Sequence, residues 1–103
     1  MKEVPVAMYV SPLERWRTIA CEFRAVNEAL LEGVLDPDFG PDDLVKLSRN
    51  SPGVKAVYRF LLHIYNSSNP FDLVEIQRWD KDHIQAFSRW AAGTITGWPC
   101  HYL

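Results

Sequence analysis

Cysteine, glycine and long apolar runs are scarce in this chain, and each scarcity excludes a class of protein. Two cysteines, Cys21 and Cys100, are too few for a disulfide framework, so we expect free thiols in a reducing, cytoplasmic compartment. The five glycines are scattered, which excludes a glycine-rich phosphate-binding loop. The apolar runs are too short to span a bilayer, and the N-terminus lacks a signal-peptide pattern, so we expect no membrane association.

An excess of positive charge is also missing. The formal net charge is −2 at pH 7, so overall electrostatics do not favour binding to nucleic acid. The chain is rich in apolar side chains, however: 48% of its 103 residues are hydrophobic and 13% are aromatic. These proportions are typical of a packed globular protein, and the length predicts a single domain over residues 1–103.

The segment 51–66 organises the predicted fold. Ser51 is suited to cap a helix, and Pro52 is suited to its first position, where a backbone N–H would have no partner. Apolar residues then recur at three- and four-residue steps and cover most of the helix surface, so neighbours must surround it. We therefore predict an all-α fold, a compact bundle of four to five helices around a central helix at 52–65.

Capping signals predict two helices before the central one. Ser11 and Glu14 form a capping box around Pro12, and we expect this helix to run to about residue 35. Its predicted apolar stripe consists of Leu13, Trp16, Ile19, Ala20, Phe23, Val26, Leu30, Leu31 and Val34. A turn-rich connector follows at 36–43, and Pro41 then starts a short helix that should stop near Asn50.

Two more helical segments are predicted after the central helix. Asp72 repeats the capping-box pattern and should start one or two turns, whereas Asp80 should cap a final helix over 81–92 that Gly93 ends. The inner face of the final helix is predicted to carry Ile84, Phe87, Trp90 and Ala91. We expect residues 1–10 to form an extended lead-in and residues 94–103 an irregular, aromatic C-terminal tail.

The residues that could bind a metal are not arranged as metal ligands usually are. His63, His83, His101, Cys21 and Cys100 lack the paired spacing that lets one turn aim two ligands at a single ion. A serine nucleophile elbow and a local cysteine-protease signature are missing too. The sequence therefore predicts no metal, no cofactor and, in its leading interpretation, no catalytic residues.

One spacing nevertheless points to chemistry, because Arg78 precedes His83 by five positions. It resembles the R-x4-6-H signature of HEPN-type ribonucleases, which are small all-α proteins. The resemblance implies metal-independent RNA cleavage, with Arg78 stabilising the phosphate and His83 acting as base or acid. That family usually has a polar residue where this chain has Trp79. In the structural alternative Asp80 and Asp82 start a helix, His83 lies on its surface and Arg78 is solvated.

A ridge of polar residues on the central helix is a candidate binding surface. Lys55, Arg59 and His63 lie four residues apart and would face a phosphate or an acidic partner. The alternative is that they face solvent or pair with glutamates of the first helix. The glutamates available there are Glu22, Glu28 and Glu32. A DNA-binding helix-turn-helix formed by 41–50 and 52–66 is disfavoured because its second helix is too apolar.

Aromatic residues are more numerous than so small a core encloses easily. They include Trp16, Trp79, Trp90, Trp98, Tyr9, Tyr102 and Phe71. Trp98 and Tyr102 lie in the tail, where they would contact another protein or a second copy of the chain in a homodimer. The alternative is that the tail seals one end of the core.

The segment Phe60–Leu73, with the sequence FLLHIYNSSNPFDL, resembles a pattern in small uncharacterised bacterial domains. Some of these domains occur on mobile genetic elements, and the resemblance implies a fold unit without an activity. Together these observations favour a non-catalytic interaction or regulatory protein of bacterial or phage origin, with an unidentified protein partner. An inhibitor of a host or defence protein is one version of this hypothesis, and the ribonuclease is the alternative.

Overall fold

The computed structural model describes residues 11–47 and 52–95, and every regular element in these residues is helical. The elements are α1 (Pro12–Ala20), α2 (Arg24–Leu31), α3 (Pro41–Lys46), α4 (Pro52–Tyr65), a 3₁₀ helix (Leu73–Arg78) and α5 (Lys81–Ala92). This compact arrangement confirms the predicted all-α class, with five α-helices and the 3₁₀ helix in the described part. The lead-in and residues 96–103 of the tail lie outside the described residues.

α4 lies at the centre of the bundle, with the bounds that the sequence predicted. It packs against α1, α3 and the 3₁₀ helix, and its apolar residues supply much of the core. The buried residues of α4 are Ala56, Val57, Tyr58, Phe60, Leu61 and Ile64. The Phe60 ring makes edge-on contacts with four aromatic rings, at centroid distances from 5.0 to 5.5 Å. Those rings belong to Phe71, Trp79, Phe87 and Trp90.

The prediction of one continuous helix from Pro12 to about residue 35 is wrong. The chain leaves the helix after Ala20, and α2 begins only at Arg24. Phe23 between them is extended, with φ −96° and ψ 126°, and its ring is fully buried against Phe60 and Trp79. Burial of a large aromatic ring offsets the loss of a few intrahelical hydrogen bonds, which local sequence patterns do not reveal.

The split helix also changes which apolar residues are buried. Leu31 and Val34, predicted in the stripe of the first helix, are 88% and 58% exposed. Phe39 lies in the connector and is only 1% exposed, because its ring packs edge-on against Trp16 at 5.4 Å. Arg17 holds this connector by donating from Nε to the Phe39 carbonyl oxygen at 2.7 Å. Phe39 therefore belongs to the core, although residues 36–38 of the connector are exposed.

The caps at Ser11, Asp80 and Gly93 behave as the sequence predicted, whereas Ser51, the predicted cap of α4, lies outside the described residues. Ser11 Oγ accepts from the backbone N–H of Glu14 at 3.2 Å, and Asp80 Oδ1 accepts from that of His83 at 3.0 Å. Gly93 ends α5 with φ +79°, in the left-handed region that glycine adopts without strain. None of the helices in the described residues is long and apolar enough to cross a bilayer.

Candidate functional site

An exposed apolar surface lies where the 3₁₀ helix meets the first turn of α5. Leu73 is 68% exposed, Val74 61% and Ile84 40%, and these side chains surround a shallow groove of about 550 Å³. Ile76 and Gln77 complete the lining. We call these five residues the 3₁₀ patch.

The residues of this patch differ in how far they reach the core. Ile76 packs against the core, whereas Leu73 and Val74 are exposed. Ile84 was predicted on the inner face of α5, and this prediction is wrong. The buried residues of α5 are His83, Ala86 and Trp90, which turns Ile84 toward the patch. Contiguous exposed apolar side chains of this kind are typical of interaction surfaces.

The predicted ridge of Lys55, Arg59 and His63 is half-buried in the structure. Arg59 donates from Nε to Glu75 Oε1 at 2.6 Å, and its Nη2 also contacts that oxygen. The alternative that glutamates of the first helix pair with the ridge is therefore wrong for Arg59, because its partner comes from the 3₁₀ helix. His63 Nδ1 lies 2.8 Å from the carbonyl oxygen of Asn69.

These contacts shape a polar groove of about 410 Å³ beside the ridge. Its lining residues are Arg59, His63, Ser67, Asn69, Pro70, Phe71, Asp72 and Glu75. The hydrogen bond from Arg59 lowers the pKa of the Glu75 carboxyl and outweighs the opposing effect of burial. Because this carboxylate already neutralises Arg59, the groove offers a phosphate less positive charge than the sequence suggested.

The two residues of the ribonuclease hypothesis occupy different environments. Arg78 ends the 3₁₀ helix and is exposed, and its charge contributes to lowering the pKa of Glu75. His83 is only 3% exposed, so its predicted position on the helix surface is wrong. Both of its ring nitrogens are engaged: Nε2 lies 3.0 Å from the backbone nitrogen of Ala25 and Nδ1 3.0 Å from Asp80 Oδ1. With the ring buried and Nε2 paired with the Ala25 backbone, His83 is not open to a substrate in this structure.

A network of charges surrounds this buried histidine. Arg24 at the start of α2 contacts Asp80 and Asp82 at the start of α5, and also Glu28 one turn further along α2. Burial opposes ionisation of Asp80, but hydrogen bonding from the His83 backbone and attraction to nearby positive charge hold its pKa below the ordinary value. The network thus joins the N-terminal ends of two helices. Sequence reasoning missed it because the residues that pair between α2 and α5 are 56 and 58 positions apart.

The described tryptophans belong to the core. Trp16, Trp79 and Trp90 are buried, so the expectation that the aromatic side chains exceed the capacity of the core is wrong for these three. Trp16 Nε1 donates to the carbonyl oxygen of Leu61 at 2.8 Å. The predicted interface residues Trp98 and Tyr102 lie outside the described residues, so their role remains a prediction.

Cys21 ends α1 and is a free, half-buried thiol. Burial raises its pKa, which keeps it protonated and poorly nucleophilic. Within residues 11–47 and 52–95, histidine, cysteine and carboxylate side chains form no cluster of three that could hold a metal ion. Cys100 and His101 are not among the described residues.

Comparisons of the chain with protein-family models, with curated proteins and with solved structures find no match.

Proposed function

We propose that this chain is a non-catalytic protein-binding module whose partner docks on the 3₁₀ patch. The observation that carries the proposal is the exposure of Leu73, Val74 and Ile84 side by side on two adjoining elements. A monomeric domain gains nothing in stability from leaving such side chains in water, whereas a partner that covers them gains the free energy of their burial. The resemblance of Phe60–Leu73 to domains on mobile genetic elements supports a bacterial or phage origin, and an inhibitor of a host or defence protein is one version of the proposal.

The shape and size of the patch favour a helical segment of another protein as the occupant. A stable interface usually buries about 800 Å² on each partner, more than a surface of three exposed apolar side chains supplies. An amphipathic helix needs less, because it inserts a few apolar anchors from one face into a groove. Two helical elements flank this groove, and Gln77 at its edge can hydrogen-bond to the partner backbone.

The partner can be identified by crosslinking from within the patch. A photoreactive phenylalanine analogue at position 74, activated in bacterial cells, should capture the partner, which mass spectrometry then identifies. Leu73→Ser and Val74→Ser should each weaken the purified complex by at least about tenfold, because burial of such a side chain contributes about 1.5–3 kcal/mol. The melting temperature should change by no more than a few degrees, since neither side chain is buried.

Val45→Ser is the matched control, because Val45 is an exposed valine on α3 that does not line the patch. Its complex should have the dissociation constant of the wild type. Equal affinities of all three variants would refute the patch as the binding site. Analytical ultracentrifugation could instead show self-association that depends on Leu73 and Val74. That result would identify a second copy of this chain as the occupant and refute the proposal that a different protein binds the patch.

A further inference from the structure

The N-terminus of α2 is capped by a residue from another helix. The first N–H groups of a helix have no partner within it, and the side chain of its N-cap residue usually accepts one of them. The N-cap of α2 is Phe23, whose side chain cannot accept a hydrogen bond. His83 on α5 performs this function instead, because its Nε2 accepts from the backbone N–H of Ala25 at 3.0 Å.

These contacts fix the protonation state of the histidine ring. A backbone N–H is always a donor, so Nε2 must be the nitrogen without a proton. The remaining proton then sits on Nδ1, which lies 3.0 Å from Asp80 Oδ1. The neutral ring is also stacked on Phe23, with an interplanar angle of 17° and 6.2 Å between centroids.

From this arrangement we propose that His83 is a pH-sensitive clamp, which joins α2 to α5 while its ring is neutral and releases α2 when it gains a proton. Protonation at Nε2 would place an N–H donor opposite the N–H donor of Ala25. The hydrogen bond would be lost, and the two donors would repel each other in a site from which water is excluded. The first turn of α2 would then open, together with the packing of Phe23.

The charged groups that face the ring set the direction of its titration. Burial lowers the pKa of His83, and Arg24 from α2 lowers it further. Asp80 and Asp82 from α5 and Glu28 from α2 act in the opposite direction, but the combined effect is a pKa below the ordinary 6.5. The unfolded chain therefore binds this proton first, so the clamp contributes its full stability above pH 6.5 and loses it progressively as the pH falls below 6.5.

Nuclear magnetic resonance of the wild-type protein tests the clamp directly. Ring ¹⁵N shifts should show His83 as the neutral tautomer protonated at Nδ1, with a titration midpoint below 6.5. Exchange of the Ala25 amide hydrogen, corrected for its intrinsic pH dependence, should become less protected as the ring titrates. A ring protonated at Nε2, a midpoint at or above 6.5, or protection that does not change with the ring would overturn the proposal.

Urea denaturation between pH 8 and pH 5 gives a second, independent readout. The unfolding equilibrium constant of the wild type should rise by up to about tenfold per pH unit below 6.5, the limit for one proton bound on unfolding. His83→Gln should lack this component of the slope, whereas His63→Gln, the control on α4, should retain it. Equal slopes for the wild type and His83→Gln would overturn the proposal, and if His83→Gln does not fold, the wild-type resonances decide.

Discussion

Gly53, in the first turn of α4, has too little space for an added methyl group. A Cβ built on Gly53 lies 2.6 Å from the backbone carbonyl oxygen of Arg78, at the end of the 3₁₀ helix. Ordinary contacts of this kind begin at 3.4 Å, so the two elements would have to separate by roughly 0.8 Å. A carbonyl oxygen of the backbone cannot rotate away as the end of a flexible side chain can.

Two opposing free energies decide the outcome of Gly53→Ala. Alanine favours the helix over glycine by up to about 1 kcal/mol, and this alone would stabilise the protein. Overpacking at a rigid contact typically costs about 1–3 kcal/mol. If alanine contributes its full value of about 1 kcal/mol, the net destabilisation is about 0–2 kcal/mol, and at about 4–8 °C per kcal/mol the melting temperature falls by up to about 16 °C.

Urea denaturation of Gly53→Ala beside Gly40→Ala tests this expectation. Gly40 is the N-cap of α3, with φ −119°, and an added Cβ there meets no atom within 4 Å. Gly40→Ala should therefore lower the free energy of unfolding by no more than about 1 kcal/mol, the usual effect of replacing a helix N-cap residue. A Gly53→Ala protein more stable than the wild type would refute the close approach of α4 to the 3₁₀ helix and, with it, the position of the 3₁₀ patch.

Three further substitutions test the core and the polar groove. Trp16→Phe removes the donor to the Leu61 carbonyl and should lower the free energy of unfolding, measured by urea denaturation, by about 1–3 kcal/mol. An unchanged denaturation midpoint would contradict this buried hydrogen bond. Phe39→Ala should lower the free energy of unfolding by about 3–5 kcal/mol and greatly lower the melting temperature. A loss below about 1 kcal/mol would show that Phe39 is not part of the core. The hydrogen bond from Arg59 lowers the pKa of the Glu75 carboxyl below its ordinary value of 4.5. The ionised carboxylate therefore contributes its full stability to the fold above pH 4.5, and this contribution is lost as the pH falls through the lowered pKa. Glu75→Gln should therefore flatten the stability–pH curve in the acid range, and an acid slope equal to that of the wild type would show that this carboxylate makes no contribution.

The sequence predicted the fold where the deciding interactions are local. Ser11 and Asp80 begin helices through hydrogen bonds that reach only three residues along the chain, and Gly93 ends one through its own backbone conformation. The apolar periodicity of 52–65 likewise identified the central helix with its correct bounds. The capping signals are complete within about one helical turn and the periodicity within a single helix, so both can be read without knowledge of the packing.

The candidate site was harder to predict because exposure depends on contacts that are distant in sequence. Leu73 and Ile84 resemble core residues in any sequence pattern, and only the arrangement of the 3₁₀ helix beside α5 leaves them exposed. Arg59 was correctly placed on a ridge, but its partner Glu75 lies 16 residues away and on another element. Periodicity identifies which residues share a face of one helix, and it does not identify the element that covers that face.

The break between α1 and α2 decides what His83 can do. Once Phe23 is extended and buried, α2 has unpaired N–H groups and no cap of its own, so a neighbouring side chain must supply an acceptor. His83 supplies it with Nε2, and its other nitrogen faces Asp80, which leaves neither nitrogen free to exchange a proton with RNA. A general base needs a free nitrogen within hydrogen-bond reach of the substrate. The ribonuclease hypothesis therefore requires the clamp to open before any cleavage, and an enzyme of that kind would lose part of its core packing in every catalytic cycle.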